Sequence, residues 1–197
     1  MKNTRIQRFL CSPIKQNQNQ VTLTGDTAHH LIRVLRLKIG DRLCVFDQSG
    51  HEWDAEIVAK KRQSVEVVLL NCHQPDVESP LQITLLQSIS KSSRMDLVMQ
   101  KATELGVHRI VPMLSKNTVV LLNAKNTPRK MSHWKKITIS ASEQSGRVRL
   151  PEILEPRELN QDLLSQYKQG IGFFLDTTGT DNFSAEKATN ITVAIGP

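Results

Sequence analysis

Ser88–Met113, SISKSSRMDLVMQKATELGVHRIVPM, is the stretch around which the rest of the chain is arranged. Ser93-Arg94-Met95-Asp96 fits a capping box, with a hydroxyl for the first free amides and an acid near the positive helix end. Met95, Val98, Met99, Ala102 and Leu105 recur at spacings of three and four, which predicts one apolar helical stripe. Gly106 suits the left-handed residue that ends a helix. Val107, Ile110 and Val111 then read as a buried strand stopped by Pro112, and Leu81–Gln87 reads as a strand upstream. Strand, helix, strand is the unit of a parallel sheet. What binds at the strand ends is therefore the functional question.

Outward from this stretch, the N-terminal side is β-rich. Strands are expected at Arg5–Leu10, Val21–Leu23, Leu43–Asp47, Glu52–Lys60 and Ser64–Leu70, with turns at Gln48-Ser49-Gly50 and Lys61-Arg62-Gln63. Short strands with turns every eight to twelve residues suggest a small barrel. A helix is expected over His29–Leu37 with Leu31, Val34 and Leu35 inward, which would put Arg33 and Arg36 on one side. Asn71–Pro80, polar and with two prolines, is the linker candidate. Downstream, strand and helix alternate. Thr127 and Pro128 open a helix whose apolar face is Met131, Trp134, Ile137 and Ala141, and Gly146 ends it. Arg157–Lys168 reads as a helix, and Ile171–Leu175 and Ile191–Ile195 as buried strands. The last of these is apolar throughout and is expected to be central, covered on both faces.

The net charge of +7 favours an anionic partner such as nucleic acid. Eleven Lys/Arg against seven Asp/Glu fall in residues 1–75, so the excess is not a basic tail. Three cysteines without paired spacing argue against a disulfide framework and for a cytoplasmic location. No apolar run is long enough for a signal peptide or a membrane span.

Several clusters could carry chemistry. Glu143-Gln144-Ser145-Gly146-Arg147-Val148-Arg149 packs an acid, an amide, a hydroxyl and two arginines around a glycine. It could hold a phosphate or orient a base ring, or be a helix C-cap with solvated arginines. Arg33 and Arg36 could grip phosphates or form a solvated face. His29-His30 point apart on a helix, so a shared metal is disfavoured, and one buried and one exposed ring is expected. No HExxH or Cys/His ligand spacing occurs, so no metal is expected. Lys101 and Glu104 fit a surface ion pair, and Met95 and Met99 fit core. Gly170 and Gly172 begin a dinucleotide fingerprint that Leu175 breaks, and there is no Walker loop or GxSxG elbow. Gly196, just past an apolar strand, would let backbone approach a ligand.

Ordered motifs resemble those of the RsmE-type 16S rRNA uridine-N3 methyltransferases. They are Arg5-Ile6-Gln7-Arg8-Phe9, His30-Leu31 with Val34-Leu35-Arg36-Leu37, Gly40-Asp41, and Asp54-Ala55-Glu56-Ile57. Gln100–Val107 with Ile110-Val111-Pro112 is the most specific, followed by Trp134-Lys135-Lys136-Ile137, Glu143–Arg147 and Val148–Ile153, with Ile195-Gly196-Pro197 similar to the opening of a cofactor loop. The resemblance covers the whole chain. It implies an α/β fold: an N-terminal PUA-like β-barrel over 1–72, a linker over 73–80, and a SPOUT-type parallel α/β domain over 81–197, with a trefoil knot.

The implied function is S-adenosyl-L-methionine-dependent methylation of a uridine N3 in 16S rRNA of the 30S subunit, by a homodimer. Arg147 and Glu143 are the implied catalytic pair. Leu175, Asp176, Thr177, Ile195, Gly196 and Pro197 are the implied cofactor residues, and Arg5, Arg8, Arg33 and Arg36 the RNA contacts. Family members continue for several dozen residues beyond the position of Pro197. A chain ending there is expected to be incomplete, with apolar sheet surface exposed. The alternatives are a non-catalytic RNA-binding protein or an inactive truncated methyltransferase.

Overall fold

The computed structural model describes residues 6–115, 123, 125–167, 170–175, 179 and 188–196. The chain divides into two compact units, Met1–Val77 with Glu143–Arg149, and Glu78–Ser142 with Leu150–Pro197.

The first unit is a curled mixed sheet. Its strands are β1 (Arg8–Leu10), β2 (Gln20–Thr24), β3 (Arg42–Phe46), β4 (Glu52–Lys60) and β5 (Ser64–His73). They lie in the order β1-β3-β4-β5-β2, with β1 parallel to β3 and every other pair antiparallel. Gln-Val-Thr-Leu-Thr in β2 alternates exposed and buried, so Val21 and Leu23 face inward. Ala55 and Ile57 of β4 and Val65 and Val67 of β5 meet them, with Phe9, Leu43 and Val45 completing the core. Each Val, Leu, Ile or Phe side chain among these contributes about 1.5–3 kcal/mol on burial. Register shifts between Trp53 and Ala55 and between Ile57 and Ala59 mark bulges, which bend strands and curl a sheet toward a barrel.

Between β2 and β3 lies helix α1 (Gly25–His29), which passes directly into a π-turn over His30–Val34. The Leu35 N–H donates to the His30 carbonyl at 3.0 Å, one residue further back than in an α-helix. Ala28 and Leu31 are fully buried, but Val34 is 60% exposed. The helix expected to Leu37 ends at Val34, and Arg36 takes a left-handed φ of 55° beyond it. Arg33 and Arg36 therefore do not share a helix side. His29 and His30 are both exposed, not one buried and one free.

The second unit is a parallel sheet in the order β10-β11-β6-β7-β8. Its strands are β6 (Gln82–Ser88), β7 (Arg109–Leu114), β8 (Glu152–Ile153), β10 (Ile171–Leu175) and β11 (Asn190–Ile195), and β9 (Arg157–Glu158) pairs further along β7. Helix α2 (Ser92–Glu104) makes the crossover from β6 to β7. Its Met95, Met99 and Ala102 pack with Leu85 and Ile110 and with Trp134 of α3 (Thr127–Ser145). On the opposite sheet face, Leu86, Val111 and Met113 pack with Leu163 of α4 (Gln161–Gln166) and Ala194 of β11. Adjacent strand residues thus serve opposite layers, and helices cover both faces.

Four local expectations are corrected. The N-cap of α2 is Lys91, with no side-chain cap bond, and Asp96 instead pairs with His133 at 3.0 Å. Leu105 is the C-cap residue and 78% exposed, off the buried stripe. Strand β7 runs through Pro112, which sits opposite Gln87. The helix expected at Arg157–Lys168 is β9 followed by α4, with Asn160 capping by accepting from the Leu163 N–H at 2.8 Å.

Candidate functional site

In the second unit, the strand registers bring chemically distinct residues to one edge. Leu175 of β10 lies opposite Ile195 of β11, Ile195 opposite Gln87 of β6, and Gln87 opposite Pro112 of β7. Four parallel strands therefore finish nearly level. The chain leaves β6 toward β7 on one side and returns as β11 on the other, so the strand order reverses beside β6. Ligands of open α/β sheets bind at such a reversal, beyond the carboxyl ends of the strands.

Gly196 follows β11 at this edge. Among the described residues, a Cβ there would meet only the Phe174 ring, at 4.0 Å, so these leave the main chain approachable. Phe174 and Leu175 are more than half exposed. Gln87 and Ser88 are buried polar groups: the Gln87 amide donates to the Ser88 carbonyl at 2.9 Å, and the Ser88 hydroxyl meets that of Ser115 at 3.2 Å. Main-chain groups, exposed apolar side chains and an ordered polar floor fit a ligand with an apolar body and a few hydrogen-bonding edges. Asp176, Thr177 and Pro197, expected beside these residues, lie outside the described residues.

In the first unit, Glu143 and Arg147 are brought to β1. The Leu10 N–H donates to Glu143 Oε1 at 3.1 Å. Both Nη atoms of Arg8 approach the Arg147 carbonyl at 3.3 Å, and Arg8 Nη2 pairs with Glu52 at 2.7 Å. The Arg8 guanidinium also lies 5.0 Å from the Phe46 ring centroid. Burial pushes the Glu143 carboxyl above the usual range, against the lowering effects of the Leu10 amide and the Arg8 charge. Arg147 is buried, at 7% exposure. Arg8 was expected to contact RNA phosphates, yet its side chain is only 13% exposed and its donors point inward. Its geometry is that of an anchor. Arg5 lies outside the described residues.

Arg33 lies on the π-turn and lines a concavity of about 480 Å3 whose opposite wall includes Arg62. In sequence, Lys61-Arg62-Gln63 shows only as a turn. The signal that could have promoted it was the pairing of β2 with β5, which carries the turn to the helix after β2. Arg36 is exposed and is not among the residues lining this concavity. Among the described residues, no group of three His, Cys, Asp or Glu is placed to hold a metal, and no helix is long and apolar enough to cross a membrane.

A curled barrel sheet and a parallel sheet with a reversal beside β6 are the two parts of an RNA-modifying enzyme class. Residues 23–70 match the RNA methyltransferase PUA domain and residues 77–197 match the RNA methyltransferase domain. The ribosomal RNA small subunit methyltransferase E of Buchnera aphidicola subsp. Schizaphis graminum is 31% identical over 194 residues, covering 98% of this chain and 79% of its own length. Its namesake in Bacillus subtilis is 27% identical over 159 residues, 79% of this chain and 62% of the relative.

The ribosomal RNA small subunit methyltransferase E of Neisseria gonorrhoeae, solved bound to S-adenosyl methionine, matches with a TM-score of 0.86 at 29% identity, over 97% of this chain and 80% of that one. A structure from Legionella pneumophila containing the bound cofactor SAM matches with a TM-score of 0.90 at 29% identity, over 98% and 80%. The chain belongs to the RNA methyltransferase family, in the group of the ribosomal RNA small subunit methyltransferases E.

Proposed function

We propose that this protein transfers a methyl group from S-adenosylmethionine to the N3 of a uridine in the 16S rRNA of the small ribosomal subunit. The observation that carries the proposal is the level carboxyl edge of β10, β11 and β6, with Gly196 approachable beside Phe174, in a chain of this family. Leu175, Ile195 and Gly196 would hold the cofactor through main-chain groups and apolar contact, with Asp176, Thr177 and Pro197 as further candidates from the sequence. When bound, the cofactor supplies an electrophilic methyl group on a sulfonium.

The uridine N3 carries a proton and is a poor nucleophile until that proton leaves. Arg147 is the proposed cation that favours the deprotonated ring, with Glu143 orienting the turn that bears it. The N3–carbon bond forms as the sulfur–carbon bond breaks, and the N3 proton passes to solvent. Arg33 and Arg36 are the proposed phosphate contacts on the barrel, with Arg5 a further candidate from the sequence; Arg8 acts through the anchor it makes.

We further infer that the functional division of the chain falls at 73–80, which the boundary of the compact units at Val77 supports. A homodimer is inferred from the resemblance, and the exposed Leu97 of α2 and Leu105 at its C-cap are consistent with a partner surface. Cytoplasmic residence is inferred from three free thiols. The test is incubation with S-adenosylmethionine carrying a labelled methyl group and 30S subunits lacking the modification, followed by nucleoside analysis. 3-Methyluridine is the expected product. RNA binding without cofactor binding in a calorimetric titration would instead favour a non-catalytic RNA-binding protein.

A further inference from the structure

The concavity in the first unit is built from three parts of the chain. Its floor is the place where β2 ends against the start of β5, with Thr24 opposite Ser64. One wall is His29, Ile32 and Arg33, which follow at intervals of three and four and so share a face across the junction of α1 and the π-turn. Ala28 and Leu31 on the other face hold that wall to the core. The second wall is the β4–β5 turn, from which Arg62 and Gln63 project.

The two cations of that turn differ. Lys61 is tied to Glu66 at 2.6 Å, whereas Arg62 has no ion-pair partner among the described residues, and neither does Arg33. Among the described residues, no carboxylate lines the space. Arg33 and Arg62 therefore line, from opposite walls, a hollow of about 480 Å3, within the range of small-molecule sites. The remaining lining is an imidazole, an isoleucine, an amide, two hydroxyls and Gly25. A flat ring can lie against His29 and Ile32, while Gln63 and Ser64 offer the paired donor and acceptor that a base edge or a ribose 2′-hydroxyl needs.

We propose that this hollow takes one unstacked nucleotide of single-stranded RNA, its phosphate held between Arg33 and Arg62 and its base against Ile32 and His29. The proposal rests on the reading of the protein as an RNA methyltransferase and adds to it a second nucleotide site, on the barrel. A duplex cannot enter, because its bases are stacked and paired; selectivity for single strands is therefore the signature that separates this site from a merely basic surface.

The test uses the intact protein and a fluorescent uridine-rich octanucleotide, with the same sequence annealed to its complement as control. Arg33→Glu and Arg62→Glu should each weaken single-strand binding about tenfold or more and lower the salt slope by about one. Gln63→Ala, at an exposed turn tip, should weaken it several-fold without changing the slope. Duplex binding and the melting temperature should stay unchanged. Equal loss of duplex and single-strand affinity would reduce the arginines to a general electrostatic surface and overturn the proposal. Unaltered single-strand affinity in both charge reversals would also overturn it. Methylation of 30S subunits by the unsubstituted protein, measured in parallel, reports separately on the enzymatic reading.

Discussion

Arg8, on the first strand, holds the main-chain oxygen of Arg147 between its two Nη atoms, each at 3.3 Å. The same side chain carries an ion pair to Glu52 at 2.7 Å and lies against Phe46. The residue proposed to act on the uridine is thus held through its carbonyl. Glu143, one helical turn earlier, adds a second tie through the Leu10 amide.

Arg8→Lys keeps the charge but loses the planar fork, so it cannot serve Glu52 and the Arg147 carbonyl together. We expect a loss of about 1–3 kcal/mol in urea denaturation. Methyl transfer should fall more than cofactor affinity does. Wild-type stability in the lysine variant would show that the fork contributes nothing.

Arg147→Ala should slow single-turnover methylation of 30S subunits by about a hundredfold or more if its charge stabilises the anionic base. Arg147→Lys should recover part of that loss, and S-adenosylmethionine binding should be little changed in either variant. A near-normal rate in the alanine variant would remove Arg147 from the chemistry.

The raised pKa of Glu143 sets a pH dependence of stability with a definite sign. Its carboxyl gives up a proton less readily in the folded protein than in the unfolded chain, because burial disfavours the charge. No penalty exists below the unfolded value of about 4.3. The penalty grows as pH rises from there through the folded value, and is constant above it. Glu143→Gln keeps an acceptor for the Leu10 amide and never ionises. Denaturation midpoints of the two proteins should therefore diverge in favour of the glutamine variant as pH rises above the unfolded carboxyl value of about 4.3. Parallel curves across that range would mean that the carboxyl titrates as it would in water.

Burial, with help from neighbouring acidic groups, pushes the thiols of Cys11 and Cys44 up to about 12. Cys72 is exposed. Iodoacetamide at pH 8 should therefore add one carbamidomethyl group to the native protein, on Cys72, and three after denaturation. Modification of Cys11 in the native protein would show that the barrel core opens readily.

Much of the second unit was legible because it obeys local periodicity. Met95, Met99 and Ala102 fall on the buried face of α2, as their spacing implied. Leu105 matched the same spacing but lies just past the last helical residue, where the chain leaves the face. Pro112 was misread for a reason that the pairing explains. The carbonyls of Ile110 and Leu114 accept from Leu154 and Leu159, so residue 112, of the same parity, faces the same side. Among the described residues, no strand pairs with β7 on that side between the end of β8 at Ile153 and the start of β9 at Arg157, and a missing N–H there costs no ladder bond.

The site was less legible than the fold. Arg33 could be singled out by its charge, but nothing local marked Arg62 as its partner, because only the pairing of β2 with β5 brings them to one hollow. Arg36 fails the helical spacing because the chain turns left-handed at that residue. The motif Glu143–Arg147 was visible as a motif, but its attachment to residues 8 and 10 has no sequence signal.

That attachment joins parts of the chain 139 and 133 residues apart, and it governs the order in which the molecule can be assembled. The barrel unit draws its last piece, Glu143–Arg149, from beyond most of the second unit. On a growing chain, the five barrel strands can pair early, since all of them lie within residues 8–73. The closing segment arrives only after the first parallel strands, α2 and most of α3 have been synthesised, and closure of so long a loop is entropically slow to reward. Folding of this protein should therefore show a fast phase reported by Trp53 in the barrel and a later one in which the Arg8 clasp forms. The early barrel would remain an unfinished body, open to chaperones and proteases, until residue 149 has emerged.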